Sequence, residues 1–168
     1  ILARREELAR LLSREEGKIV REALGEVDRA GRSFKFYAQE VLRAEGEKYQ
    51  SVRAEVGIDV FTQPVGEVGI IAPWNFTIAI PAWKIAPALA YGNTVLFKPS
   101  ELTPACAWAL ADIVHRAGVP AGVFNMVMGS GRELGQALID HTDAVSFTGS
   151  GPTGELVVAA AARQLKKV

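Results

Sequence analysis

The chain has 168 residues, of which 49% are hydrophobic and 23% charged, and its 19 basic and 19 acidic side chains cancel. That balance suits a domain with a real apolar core, gives no electrostatic case for nucleic acid or an anionic membrane, and leaves no apolar run near the ~20 residues that span a bilayer. One cysteine, Cys106, makes no internal disulfide and points to a reducing cytoplasm, and neither the histidines nor the carboxylates fall at metal-ligand spacing.

Charge is spread unevenly. Residues 1–60 hold 12 Lys/Arg and 12 Asp/Glu, whereas residues 61–168 hold 7 of each. The first part reads as exposed helices and the second as a buried α/β core. Leu8, Leu11 and Leu12 among Arg and Glu make Ile1–Ser13 an amphipathic helix, with Gly17 as its C-cap. Lys18–Glu47 continues in helical style. Val20, Leu24, Val27, Phe34, Tyr37, Ala38, Val41 and Leu42 form a stripe at three-and-four spacing, weakened by Gly25 and Gly31. Residues 1–55 are therefore expected to be a helical segment with a solvated, mixed-charge face. Val56–Val65 reads as an extended strand, broken by Pro64 and Gly66, in a surface hairpin.

From Val68 the rhythm becomes regular. Strands are expected at Val68–Ala72, Thr94–Lys98, Val123–Met128 and Ala144–Thr148. Helices follow them at Pro81–Tyr91, Pro104–Ala117, Arg132–His141 and from about Thr153. Gly92 and Gly118 stand where left-handed helix caps are wanted, and Pro104 fits a first helical turn. Four strand–helix units predict an α/β fold: a Rossmann-like, doubly wound parallel sheet preceded by N-terminal helices. Arg163–Val168 reads as the lead into a fifth strand.

Three strings sit at strand ends, where such sheets bind ligands. The first is Ile71-Ala72-Pro73-Trp74-Asn75-Phe76. The second is Phe97-Lys98-Pro99-Ser100-Glu101. The third is Phe147-Thr148-Gly149-Ser150, with Gly154 after it. Each has an ordinary reading: Asn75 as a turn cap, Trp74 as a core aromatic, Lys98–Glu101 as a surface ion pair, Ser150 as an N-cap. Gly129-Ser130-Gly131 with Gly135 lacks the spacing of the usual dinucleotide fingerprint, although it follows a strand and opens a helix. Cys106 lies inside a helix without a neighbouring base and reads as a buried thiol.

Taken together, the three strings resemble the NAD(P)-dependent aldehyde dehydrogenase superfamily, and the likeness covers essentially all 168 residues. The segment Ala82–Asn93 is similar in style to the semialdehyde-oxidising branch, such as α-ketoglutaric or succinic semialdehyde dehydrogenases. The resemblance implies that Asn75 donates to the carbonyl oxygen as a thiol adds to an aldehyde. It implies a cofactor cradle of Ile71, Ala72, Pro73, Trp74, Lys98, Ser100, Glu101, Gly131, Gly135, Phe147, Thr148, Gly149 and Ser150. Within it, Lys98 and Glu101 would meet the adenosine ribose, Gly131 and Gly135 the adenine, and Ser150 the pyrophosphate. Glu101 would repel a 2′-phosphate, which favours NAD, with NADP the alternative. Phe76 and Trp83 would line the aldehyde tunnel and Lys84 would assist proton transfer, against a packed aromatic and a surface lysine as the ordinary readings. Residues 56–66 would start an arm used in homo-oligomer contacts, and residues 67–168 a partial NAD(P)-binding domain.

Two departures from the family pattern carry expectations. Thr77 stands where the family most often has Pro, which should loosen the Asn75 turn modestly. The Gly-Gln-x-Cys nucleophile string and the Glu-Leu-Gly-Gly base string are not present in these 168 residues. The chain is thus expected to be an incomplete aldehyde dehydrogenase fold without its catalytic domain. It should be inactive alone, with an uncovered sheet edge and apolar helix faces. The alternative is a non-catalytic nucleotide-binding or structural module.

Overall fold

The computed structural model describes residues 1–43 and 46–168. A 3-10 turn, Leu2–Arg4, leads into α1 (Arg5–Glu16), which ends on Gly17 at φ 78° with its N–H on the Ser13 carbonyl, as the sequence predicts. Helix α2 (Val20–Glu40) buries Ala23, Val27, Ala30 and Gly31. This face is narrower than the expected stripe, because Val20 and Leu42 are exposed. Small residues face inward because the packing is close: a Cβ on Gly31 would stand 2.5 Å from Leu2 Cδ2. Gly31 therefore permits an approach, rather than only weakening a helix.

The expected helix over Lys18–Glu47 ends early. After Glu40 comes a 3-10 turn (Val41–Arg43), and Glu47–Gln50 is a strand, β1. Ala44 and Glu45, inside that expected helix, lie outside the described residues. Strand β1 pairs antiparallel with β2 (Gly57–Val60), Glu47 opposite Val60 and Gln50 opposite Gly57. A hairpin over residues 47–60 thus crosses the expected boundary at residue 55. Long-range pairing overrides local helical propensity there. Every residue of both strands is exposed.

The remainder follows the predicted alternation: β3 (Glu67–Ile71), α3 (Ala79–Ala90), β4 (Thr94–Lys98), α4 (Pro104–Arg116), β5 (Phe124–Met126), α5 (Gly131–Asp140), β6 (Ala144–Phe147) and α6 (Gly151–Ala162). Boundaries shift by one or two residues. The four strands form one parallel sheet in the order β5-β4-β3-β6. The chain runs outward from β3 to β5, then crosses back to the other side of β3. That reversal opens a crevice between β3 and β6, where doubly wound sheets bind ligands. The expected lead into a fifth strand is visible as one parallel bridge, Ala144 to Lys167, with the Val145 N–H 2.9 Å from the Lys167 carbonyl.

Neighbouring residues of β3 serve opposite faces. Ile70 packs with Val95, Phe97, Ile85 and Leu110, under α3 and α4. Ile71 packs with Val145, Leu138, Ile139 and Val157, under α5 and α6. The N-terminal helices cover α3 and α4 from outside, through Leu8, Leu12 and Val27 against Ile78, Ala82 and Cys106. Two acidic residues at the end of α1 reach across this layer. Glu15 accepts from the N–H groups of Ala105 and Cys106, 2.8 and 2.7 Å away, capping α4. Thr103 holds the N-cap position, yet its buried hydroxyl has no partner among the described residues, because Glu15 has taken the free N–H groups.

Candidate active site

Backbone bonds lock the carboxyl ends of the strands together. The Ala72 N–H meets the Lys98 carbonyl at 3.2 Å, and the Thr148 N–H meets the Ile71 carbonyl at 3.0 Å. All three predicted strings therefore emerge side by side. Ala72 is buried, whereas Trp74, Asn75 and Phe76 are exposed in the turn before α3. Phe76 has φ 52°, a left-handed conformation uncommon for a bulky residue and typical of turns under functional constraint.

The turn is not loosened by Thr77. That side chain is buried, and its N–H and hydroxyl both donate to Glu16, at 3.0 and 2.7 Å. A proline has no N–H to donate, so hydrogen bonding here does the work expected of ring rigidity. The next two N–H groups, of Ile78 and Ala79, donate to Glu26 of α2 at 2.9 and 3.1 Å. Neither carboxylate was legible as a partner, since 61 and 52 positions separate Glu16 from Thr77 and Glu26 from Ile78.

A cleft of about 380 Å³ lies where β3 and β4 end against α5 and α6. Ile71, Lys98, Gly131 and Gly135 line it, together with Arg132 and Thr153. Lys98 is 3% exposed, so the surface-pair reading fails for it. Its ammonium donates to the carbonyls of Pro99 at 2.8 Å and Gly129 at 3.1 Å, and stands 3.7 Å from Glu101. Burial pushes its pKa down, while Glu101 works against that shift. Two carbonyls use two of its three donors. Glu101 is exposed beside the cleft, on a turn built by Ser100, whose hydroxyl accepts the Leu102 N–H at 3.2 Å. Neither Ser100 nor Glu101 lines the cleft itself.

The residues fit a flat nucleotide. Added Cβ atoms on Gly131 and Gly135 would meet nothing within 4 Å. Glycine in a helix costs up to about 1 kcal/mol relative to alanine, and no internal packing demands it here. Ser130 caps α5 through a reciprocal box with Glu133: the Glu133 N–H reaches Ser130 Oγ at 3.2 Å, and the Ser130 N–H reaches Glu133 at 3.4 Å. The Ser-x-x-Glu spacing carried that signal unread.

The fourth strand ends differently. A Cβ on Gly149 would stand 2.5 Å from Phe147 Cζ, so this glycine makes room for the ring. Ser150 is the N-cap residue of α6, but its hydroxyl pairs with the Thr153 hydroxyl at 2.9 Å instead of a backbone N–H. Pro152 removes one of the first-turn donors of that helix.

Trp83 is partly exposed, with the Arg29 guanidinium of α2 5.4 Å from its ring centre. Lys84 is not a surface lysine. It donates to Ser146 of β6 at 2.7 Å, and burial lowers its pKa to about 8. Cys106 is fully buried in α4, and burial first, then its bond with Glu15, pushes its thiol well above the ordinary value. A larger apolar cavity of about 550 Å³ lies beneath α2, lined by residues such as Leu2, Phe34 and Ile113, and holds none of the predicted site residues. Among the described residues, no cluster of three or more His, Cys, Asp or Glu can hold a metal ion, and no helix is long and apolar enough to cross a membrane.

Comparison with known proteins agrees with this architecture. The chain is 44% identical over 170 residues to the mitochondrial succinate-semialdehyde dehydrogenase of Arabidopsis thaliana, covering 100% of this chain and 32% of that protein. It is 42% identical over 160 residues to the alpha-ketoglutaric semialdehyde dehydrogenase of Bacillus subtilis, covering 94% of this chain and 33% of the relative. The structure of Staphylococcus aureus betaine aldehyde dehydrogenase in complex with NAD+ superposes with a TM-score of 0.96 at 34% identity, over 98% of this chain and 33% of the other. The chain thus spans about a third of the length of the relatives it matches. The model of the aldehyde dehydrogenase family matches residues 1–168, and the chain belongs to that family.

Proposed function

We propose that this chain is the cofactor-cradling and oxyanion-donating part of a dehydrogenase. The reaction takes an aldehyde, water and oxidised nicotinamide cofactor to a carboxylate, reduced cofactor and two protons. The observation that carries this reading is convergence. Ile71, Lys98, Gly131 and Gly135 meet at one cleft, and the strand that supplies Ile71 leads straight into the Asn75 turn. Asn75 offers an uncharged amide donor to the oxygen that gains charge as the carbonyl is attacked. The spare donor of Lys98 and the carboxylate of Glu101 suit the hydroxyls of an adenosine ribose. Glu101 disfavours a 2′-phosphate, so NAD is our choice over NADP. When bound, NAD supplies the hydride acceptor.

The substrate we favour carries an acid group besides the aldehyde. Trp83, one of the two aromatic rings assigned to the substrate path, has a cation from α2 beside it, the Arg29 guanidinium. Such a mouth attracts a semialdehyde carboxylate. The exposed hairpin, with Tyr49, Ile58 and Val60 uncovered, suits contact with a second copy of the chain. One thiol, kept free and reduced, suits a cytoplasmic setting.

The second reading is a non-catalytic nucleotide-binding module. Cys106, the one thiol, is buried and held protonated, which favours that reading for the 168 residues alone. Two assays separate these. The natural protein, whose intact mass is measured alongside, should form NADH from a semialdehyde. The isolated chain should form none, yet bind NAD with an affinity that Glu101→Ala weakens. NADH formation by the isolated chain at an enzymatic rate would overturn the division of labour, and its absence from the natural protein would overturn the dehydrogenase reading.

A further inference from the structure

The turn that carries Asn75 is held from outside by three charges. Glu16, at the end of α1, binds the N–H and hydroxyl of Thr77. Glu26, in α2, binds the N–H groups of Ile78 and Ala79. Lys18, in the short link between the two helices, joins the carboxylates, 2.7 Å from Glu16 and in close contact with Glu26. Its ammonium also stands 4.3 Å from the centre of the Phe76 ring. The side chains of Glu16 and Glu26 are 3% and 1% exposed. Desolvation opposes the charge on Lys18, but the hydrogen bonds it donates to Glu16 and Glu26 outweigh it and hold the ammonium above its ordinary pKa.

Buried charges are a costly way to cap a helix, since a serine or aspartate at the N-cap serves as well. Here the N-cap residue is Ile78, which has no side-chain cap. Among the described residues, no hydrogen bond fixes the Asn75 side chain. The aim of its amide therefore depends on the backbone of the turn, which is pinned one side by β3 and the other by the two carboxylates. Phe76, strained between them, has its carbonyl on the Ile80 N–H at 2.9 Å and its ring beneath Lys18.

We propose that Glu16, Lys18 and Glu26 are positioning residues that set the Asn75 amide for catalysis. They act through Thr77, Ile78 and Phe76 and do not touch the substrate's reacting carbon. This rests on the reading of Asn75 as the carbonyl-oxygen donor. Misplacing a catalytic group by about 1 Å costs up to about 100-fold in rate. None of the three lines the cleft of Lys98, Gly131 and Gly135, so nucleotide affinity should be insensitive to them.

The test uses the natural full-length protein with a semialdehyde and NAD. Lys18→Met should lower kcat by about 10- to 100-fold, with KM and NAD affinity within about twofold of the parent. Thr77→Val is nearly isosteric and removes the hydroxyl bond to Glu16 while all three charges remain. It should lower kcat less, at an unchanged melting temperature. The deciding readout is a double-mutant cycle: in an Asn75→Ala background, either change should have no further effect on the residual rate. An equal additional loss in that background would show that the triad does not act through Asn75. So would an unchanged kcat in both single variants, or a parallel loss of NAD affinity and melting temperature. If the unmodified protein oxidises no aldehyde, the dehydrogenase reading falls, and this inference with it. If it does and the cycle is additive, only the inference falls.

Discussion

The two turns that flank the crevice are built on opposite principles. The turn after β3, carrying Asn75, is fastened by groups 52 to 61 positions away, through carboxylates from another layer of the fold. The turn after β6, carrying Gly149 and Ser150, is shaped by its neighbours, with the Phe147 ring lying where a Cβ of Gly149 would be. The turn proposed to aim the Asn75 donor has rigid, long-range restraint. The turn after β6 is set locally, by a glycine that leaves room for the ring of a residue two positions before it.

The largest test of this contrast is Asn75→Ala. Loss of one oxyanion donor corresponds to about 3 kcal/mol, or roughly 100-fold in kcat. Nucleotide affinity, measured by fluorescence titration, should not move; a joint loss would merge the two turns into one functional unit. Gly149→Ala should do the reverse. Displacing Phe147 by overpacking costs about 1–3 kcal/mol, read as a lower melting temperature together with weakened NAD binding, and Phe147→Leu should recover part of both. Failure of that rescue would mean the glycine serves the backbone rather than the ring. Glu101→Ala is a smaller change. It should weaken NAD binding by about tenfold, from one lost charged hydrogen bond, and raise the NADP-to-NAD affinity ratio.

The smallest effect concerns the link between the turns. Lys84 of α3 donates to Ser146 of β6, and its pKa falls from the ordinary 10.5 to about 8. Between those two values the unfolded chain binds more protons than the folded one, so this residue makes stability rise with pH across that window. Lys84→Met should flatten the rise. Melting curves from pH 7.5 to 10.5 should show the parent gaining on the variant as pH increases.

Much of the α/β half was readable in order. The short strand runs and the helical runs gave β3 to β6 and α3 to α6 within one or two residues, because buried elements leave dense apolar patterns. Gly131 and Gly135 are weak as a pattern, and only the family resemblance marks them in the sequence. The hairpin strand β1 was read as helix, because Glu47–Gln50 is polar and exposed and its pairing with β2 is the whole of its strand character. The hold on Thr77 is hidden in the sequence for a related reason. By its own conformational stiffness it is weaker than a proline, and its partner Glu16 stands far away in the chain.

By itself the sequence determined the alternation of strands and helices and the three strings at the strand ends. Each of these depends on interactions within a few residues or on burial periodicity. Only the tertiary structure decided that Lys98 is buried, that Lys84 faces Ser146 and that Glu15, Glu16 and Glu26 cap helices in another layer. A charged residue looks the same in sequence whether it meets water or an unpaired N–H, and the choice is made when the N-terminal helices dock on α3 and α4.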